Sequence, residues 1–85
     1  MLIREIHLKK AVDGKIEEHG ITKNELGDIL LRGEPKYLRA RSGRYMAIGQ
    51  AQRFITIIFE YADGIATIVT AYPSSEAQIK LYHRK

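Results

Sequence analysis

The sequence predicts an α+β domain: two N-terminal helices packed on a four-stranded antiparallel sheet, followed by a short C-terminal helix. Three observations carry this. Residues 53–61 are dense in β-branched and aromatic side chains, Asp63-Gly64 follows as a strong hairpin signal, and residues 65–72 return as a second β-rich run. Thr22-Lys23-Asn24-Glu25 has the spacing of a capping box, in which the Thr22 side chain accepts from the Glu25 amide and Glu25 reaches back. Apolar residues recur at helical spacing before Pro35 and at strand-like spacing after it.

The first helix spans residues 5–19, with Leu8, Val12 and Ile16 on one face. Asp13-Gly14 interrupts it, and a short strand over 2–7 followed by a shorter helix is the competing reading. Gly20 stands where a helix ends. The second helix covers residues 23–32. Ile21 and Leu26 staple its start, Leu26, Ile29 and Leu30 form its buried stripe, and Gly33 and Pro35 stop it. Strands over 36–41 and 44–48 flank a tight turn at Ser42-Gly43, and residues 49–52 form the next loop.

The hairpin that follows has two possible registers. A two-residue loop at Asp63-Gly64 sets Phe59 opposite Ile68. A three-residue loop, Ala62-Asp63-Gly64, slips the pairing by one and is preferred, because it gathers Ile55, Ile57, Phe59 and Tyr61 with Ile65, Thr67, Val69 and Ala71 on one nearly all-apolar face. Thr70 and Tyr72 then share the mixed face with Thr56 and Glu60. Pro73 ends the strand, and Ser75-Glu76-Ala77-Gln78 opens a helix to about His83, with Ala77 and Leu81 inward and Lys80, Arg84 and Lys85 outward.

With 85 residues the chain fits one domain, 1–85, and its 45% hydrophobic content can build one core. It has no cysteine, which removes disulfides, thiolate metal sites and cysteine nucleophiles. No stretch approaches a membrane-spanning length, and residues 1–5 lack the pattern of a signal peptide, so a cytoplasmic protein with no membrane partner is expected. The net charge of +4 is unevenly placed: residues 1–34 carry six Lys/Arg against seven Asp/Glu, and residues 35–85 carry eight against three. The basic half suits a polyanionic partner.

His7, His19 and His83 have no paired spacing, so no metal site is expected, and no glycine-rich phosphate loop is present to hold a cofactor. What remains is a basic sheet with tyrosines: Arg39, Arg41, Arg44 and Arg53 interleave with Tyr37, Tyr45, Tyr61 and Tyr72. Arginine clamps phosphate, and tyrosine stacks on a base or moves a proton. Cleaving RNA without a metal needs a base for the 2′-OH, a cation for the phosphorane and an acid for the leaving 5′-oxygen.

His19-Gly20-Ile21-Thr22 between two helices, Gly43-Arg44-Tyr45 entering a strand, and Ile68-Val69-Thr70-Ala71-Tyr72-Pro73 closing the sheet together resemble the small ribonuclease toxins of the BrnT type, within the wider barnase/RelE-like group. The resemblance covers roughly residues 5–83. It departs from the family at Tyr72, where an arginine is usual, so it carries the fold further than the activity. It implies RNA as substrate and an antitoxin protein as partner. On this reading Tyr72, His19 and Thr70 are the catalytic candidates, and Arg44, Arg53, Arg41 and Arg39 hold phosphate. Each has a plainer reading: His19 suits a helix C-terminus, the arginines suit strand ends, and Thr70 is a good β-former. A non-catalytic module of the same fold, binding nucleic acid or protein, is the alternative.

Overall fold

In the computed structural model, which describes residues 1–84, the chain runs β1 (Glu5–Leu8), α1 (Lys10–Glu18), α2 (Lys23–Leu30), β2 (Lys36–Arg39), a 3₁₀ turn (Arg41–Gly43), β3 (Tyr45–Gln50), β4 (Phe54–Ala62), β5 (Ile65–Pro73) and α3 (Glu76–His83). The five strands form one sheet in the order β1-β5-β4-β3-β2. Four neighbouring strands pair antiparallel, and β1 pairs parallel with β5. The sheet is therefore mixed and five-stranded, not four-stranded and antiparallel.

The additional strand replaces the first half of the expected first helix. Glu5-Ile6-His7-Leu8 alternates with period two: Ile6 and Leu8 pack against the core, while Glu5 and His7 are exposed. Leu8 thus belongs to a strand, and only Val12 and Ile16 of the proposed helical stripe sit on α1. The competing reading, a short strand before a shorter helix, is the observed one. At the start of α2, the Thr22–Glu25 capping box forms as expected, and Ile21 and Leu26 are both buried.

The hairpin turns on two residues. Asp63 (φ 51°) and Gly64 (φ 81°) both adopt positive φ, as a type I′ turn requires, and Phe59 pairs with Ile68. The preferred three-residue loop is overturned, because Asp63 accepts the left-handed conformation beside Gly64; Ala66 and Ile68, not Ile65 and Thr67, therefore share the face of Phe59 and Tyr61. A bulge then changes the outcome: Phe59 pairs with Ile68 but Ile58 pairs with Thr70, so β5 carries one extra residue at Val69. That insertion keeps Ala66, Ile68 and Ala71 all on the buried face with Ile55, Ile57 and Phe59. Beyond the bulge, Thr70 and Tyr72 face the opposite side, opposite Ile58 and Thr56.

Residues 49 and 50, read as loop, continue β3. Gly49 is there for close approach: a Cβ at this position would stand 2.5 Å from Cγ2 of Ile29 on α2. β2 ends at Arg39, and the connection to β3 is a 3₁₀ turn with Ser42 at φ 61°. Helices α1 and α2 cover one face of the sheet, where Ile16, Ile21, Leu26, Ile29 and Leu30 meet the strands in a single core. On the other face lies α3, opened by a Ser75–Gln78 capping box. Ala77, expected to face inward, is exposed; Gln78, Ile79, Leu81 and Tyr82 are half-buried. Lys85 lies outside the described residues.

Candidate active site on the open sheet face

The face that carries α3 is only partly covered. At one end Phe54 packs edge-on against Tyr82 (5.2 Å between ring centres) and His83 (5.6 Å). Beside them the fully buried Thr56 joins a closed polar network. Its Oγ1 donates to Oε1 of Gln78 (2.9 Å) and shares a hydrogen bond with Ser74 Oγ (2.7 Å), while Gln78 Nε2 donates to the Tyr72 hydroxyl (3.0 Å). Burying Thr56 costs little because both its neighbours satisfy it. This network pins α3 to the sheet and occupies the Tyr72 oxygen.

The uncovered remainder of this face carries titratable groups in register. His7 pairs with Thr67, and Thr67 pairs with Glu60, so the three side chains form one row across β1, β5 and β4. Strand alternation puts them on the side of Thr70, away from α1 and α2. His7, Thr67 and Glu60 line a common hollow of about 290 Å³, together with Ile65 and Asp63. Nε2 of His7 is hydrogen-bonded to the Glu5 carboxylate at 2.7 Å. Glu60 is exposed and has no ion-pair partner among the described residues.

The residues singled out from the sequence do not converge on one point. Thr70 lies on the open face, paired with Ile58. Tyr72 lies on the same face but under α3. Arg44 precedes Tyr45, whose partner Phe59 is on the helix side, so alternation puts Arg44 on the open side, level with Glu60 on β4. Its Nε is buried with no hydrogen-bond partner among the described residues. Arg39 and Arg41 are exposed around the same β2–β3 turn, and Arg39 and Arg44 line a hollow of about 170 Å³ there.

His19 and Arg53 sit together elsewhere. His19 is the exposed C-cap of α1, on the helix side, with the sheet between it and Tyr72. Arg53, at the entry to β4, donates to the Gly20 carbonyl and to both oxygens of Glu25 (3.3 and 3.4 Å). Burial pushes the Glu25 carboxyl up, but hydrogen bonds from Arg53 and the Thr22 amide outweigh it and hold the group below the usual carboxylate range. Arg53 thus ties the α1–α2 junction to the sheet. His7 and Glu60 had no part in the sequence-derived site. Their signal was the alternation of residues 5–8, which the helical reading concealed.

The backbone is similar to the crystal structure of the Brucella abortus ribonuclease toxin BrnT, with a TM-score of 0.66 and 19% sequence identity over 85% of this chain and 97% of that one. The chain has the fold of a BrnT-type toxin. No protein-family model matches it, and no curated protein does. No group of three or more His, Asp or Glu side chains suited to a metal ion occurs among the described residues, and no helix there is long and apolar enough to cross a membrane.

Proposed function

We propose that the protein is a metal-independent endoribonuclease of toxin–antitoxin type that binds RNA on the open sheet face. The observation that carries this is the union of a ribonuclease-toxin fold with an uncovered face bearing His7, Glu60, Thr70 and Arg44. Proton-transfer groups and a cation on one surface are what phosphodiester transfer needs when no metal supplies charge. Arg44 extends the face with positive charge and Arg41 stands exposed at the β2–β3 turn beside it, whereas Arg39 pairs with Tyr45 and so projects from the α1/α2 side. Arg44 lines the hollow at that turn, where a guanidinium suits a phosphate oxygen. The expected partners are RNA and a small antitoxin protein, in the cytoplasm.

Induced expression in bacteria tests this, paired with incubation of the purified chain and single-stranded RNA in EDTA. Growth arrest together with RNA fragmentation supports the reading, and Arg44→Ala is expected to weaken both about 10-fold or more. Normal growth and intact RNA would leave the non-catalytic binding module as the better account.

A further inference from the structure

We infer that His7 and Glu60 are the acid–base pair of this face, acting across Thr67. The inference rests on the reading of the face as a ribonuclease surface, and it names the groups and the substrate bond. Three features converge. The pair is in register through Thr67. Strands stand about 4.8 Å apart, so the two backbones are about 10 Å apart, leaving room for a phosphodiester between the side chains. Both residues line one open hollow of about 290 Å³. The third feature is the Glu5 carboxylate, which accepts from Nε2 of His7 at 2.7 Å, fixing the ring and leaving Nδ1 for substrate. Glu5 is a positioning residue.

The chemistry assigns itself from the groups present. The Glu60 carboxylate takes the proton of a ribose 2′-OH. The 2′-oxygen attacks phosphorus, a P–O2′ bond forms, and the P–O5′ bond breaks. The protonated His7 delivers its Nδ1 proton to the departing O5′. The products are a 2′,3′-cyclic phosphate and a 5′-hydroxyl, with Glu60 now neutral and His7 deprotonated. Water then attacks the cyclic phosphate: His7 takes its proton, the P–O2′ bond breaks, and Glu60 returns its proton to O2′. Both groups are restored and a 3′-phosphate remains. In-line displacement requires the two groups on opposite sides of phosphorus, each within about 3 Å of its oxygen. The substrate must therefore carry a free 2′-OH beside the scissile phosphate.

The charged groups facing His7 are Glu5 on its own strand, Glu60 on β4 and Asp63 at the turn; Glu60 is flanked by Asp63 and, level with it beside β3, by Arg44. The test measures kcat, KM and pH dependence on a fluorogenic oligoribonucleotide, with the full chain in EDTA. His7→Gln and Glu60→Gln are each expected to lower kcat about 100- to 10,000-fold with KM nearly unchanged. His7→Gln should abolish the alkaline limb of a bell-shaped profile and Glu60→Gln the acidic limb, while Glu18→Gln on α1 retains wild-type turnover. All three positions are exposed, and circular dichroism checks their folding. In parallel, an uncleavable oligonucleotide with 2′-deoxyribose at every position is titrated into isotope-labelled protein, and amide shifts at Thr67 and Glu60 are expected. Cleavage that survives in both variants overturns the pair while the ribonuclease reading stands. Shifts at Thr67 and Glu60 with no cleavage by the wild type overturn the pair and leave a nucleic-acid-binding module. Neither shifts nor cleavage overturns both.

Discussion

The two faces of the sheet are built on different terms. On the helix side, Ala47, Ile55, Ile57, Phe59, Ala66 and Ala71 are all completely buried, and hydrophobic burial holds α1 and α2 in place. On the other side α3 buries no residue of its own; it lies over a strip where Ile48 and Thr56 are completely buried, and a threonine–glutamine–tyrosine network and aromatic edges hold it. Both α2 and α3 begin with complete capping boxes, so capping is not what separates them. One face is committed to stability. The other is left with polar groups that a core would not tolerate, and that surplus is where chemistry becomes available.

The largest expected break in this contrast comes from the dry face. Phe59 is fully buried between Tyr45 (5.9 Å between ring centres, stacked) and Tyr37 (6.3 Å, edge-on). Phe59→Ala should lower the unfolding free energy by about 3–5 kcal/mol in urea titration. A loss under about 1 kcal/mol would show that this face does not hold the fold. Next is Gly49→Ala, whose methyl would collide with Ile29 and should cost about 1–3 kcal/mol. Because the cost is a collision, Gly49→Ala combined with Ile29→Ala should lose less than the sum of the two, as a double-mutant cycle reads.

On the α3 side, Thr56→Val keeps the shape and removes the hydroxyl that serves Gln78 and Ser74. The expected loss is about 1–3 kcal/mol. Amide exchange should accelerate in α3 before it does in α2. Equal acceleration in both helices would contradict the separation of the two faces.

The smallest effect concerns Glu25. Its lowered carboxyl contributes stability that is present above the ordinary glutamate value, about 4.3. The contribution is lost as pH falls through the lower folded value. The partly exposed Arg53 limits it to about 1 kcal/mol or less. Urea midpoints measured from pH 6 down to pH 2 should fall less steeply in Glu25→Gln than in the parent.

Local chemistry was readable from the sequence, and non-local pairing was not. The Asp63-Gly64 turn, the Thr22 and Ser75 caps and the strand content of residues 53–72 each depend on neighbours a few residues away, and each formed. β1 depends on a parallel partner about sixty residues later, which four residues of alternation could not announce against a helical spacing of Leu8, Val12 and Ile16. The Val69 bulge was hidden for a related reason. The apolar residues Ala66, Ile68 and Ala71 break strict alternation, and only a bulge reconciles them with one face. Thr70 and Tyr72 consequently reach the open side although the register that was meant to put them there is not the observed one. The site inherited both gaps. Reading residues 5–8 as helix removed His7 from the sheet, and with it the row that makes Glu60 more than a solvated charge.

The central claim, that the open face cleaves RNA through the ribose 2′-OH, meets its most direct test in one measurement. The purified chain is incubated in EDTA with a single-stranded RNA and with the same oligonucleotide carrying 2′-deoxyribose throughout, and the products are resolved by mass. The account predicts fragments ending in 2′,3′-cyclic phosphate or 3′-phosphate from the RNA and none from the deoxy strand. Fragments carrying 5′-phosphate, or equal cleavage of both strands, would contradict it.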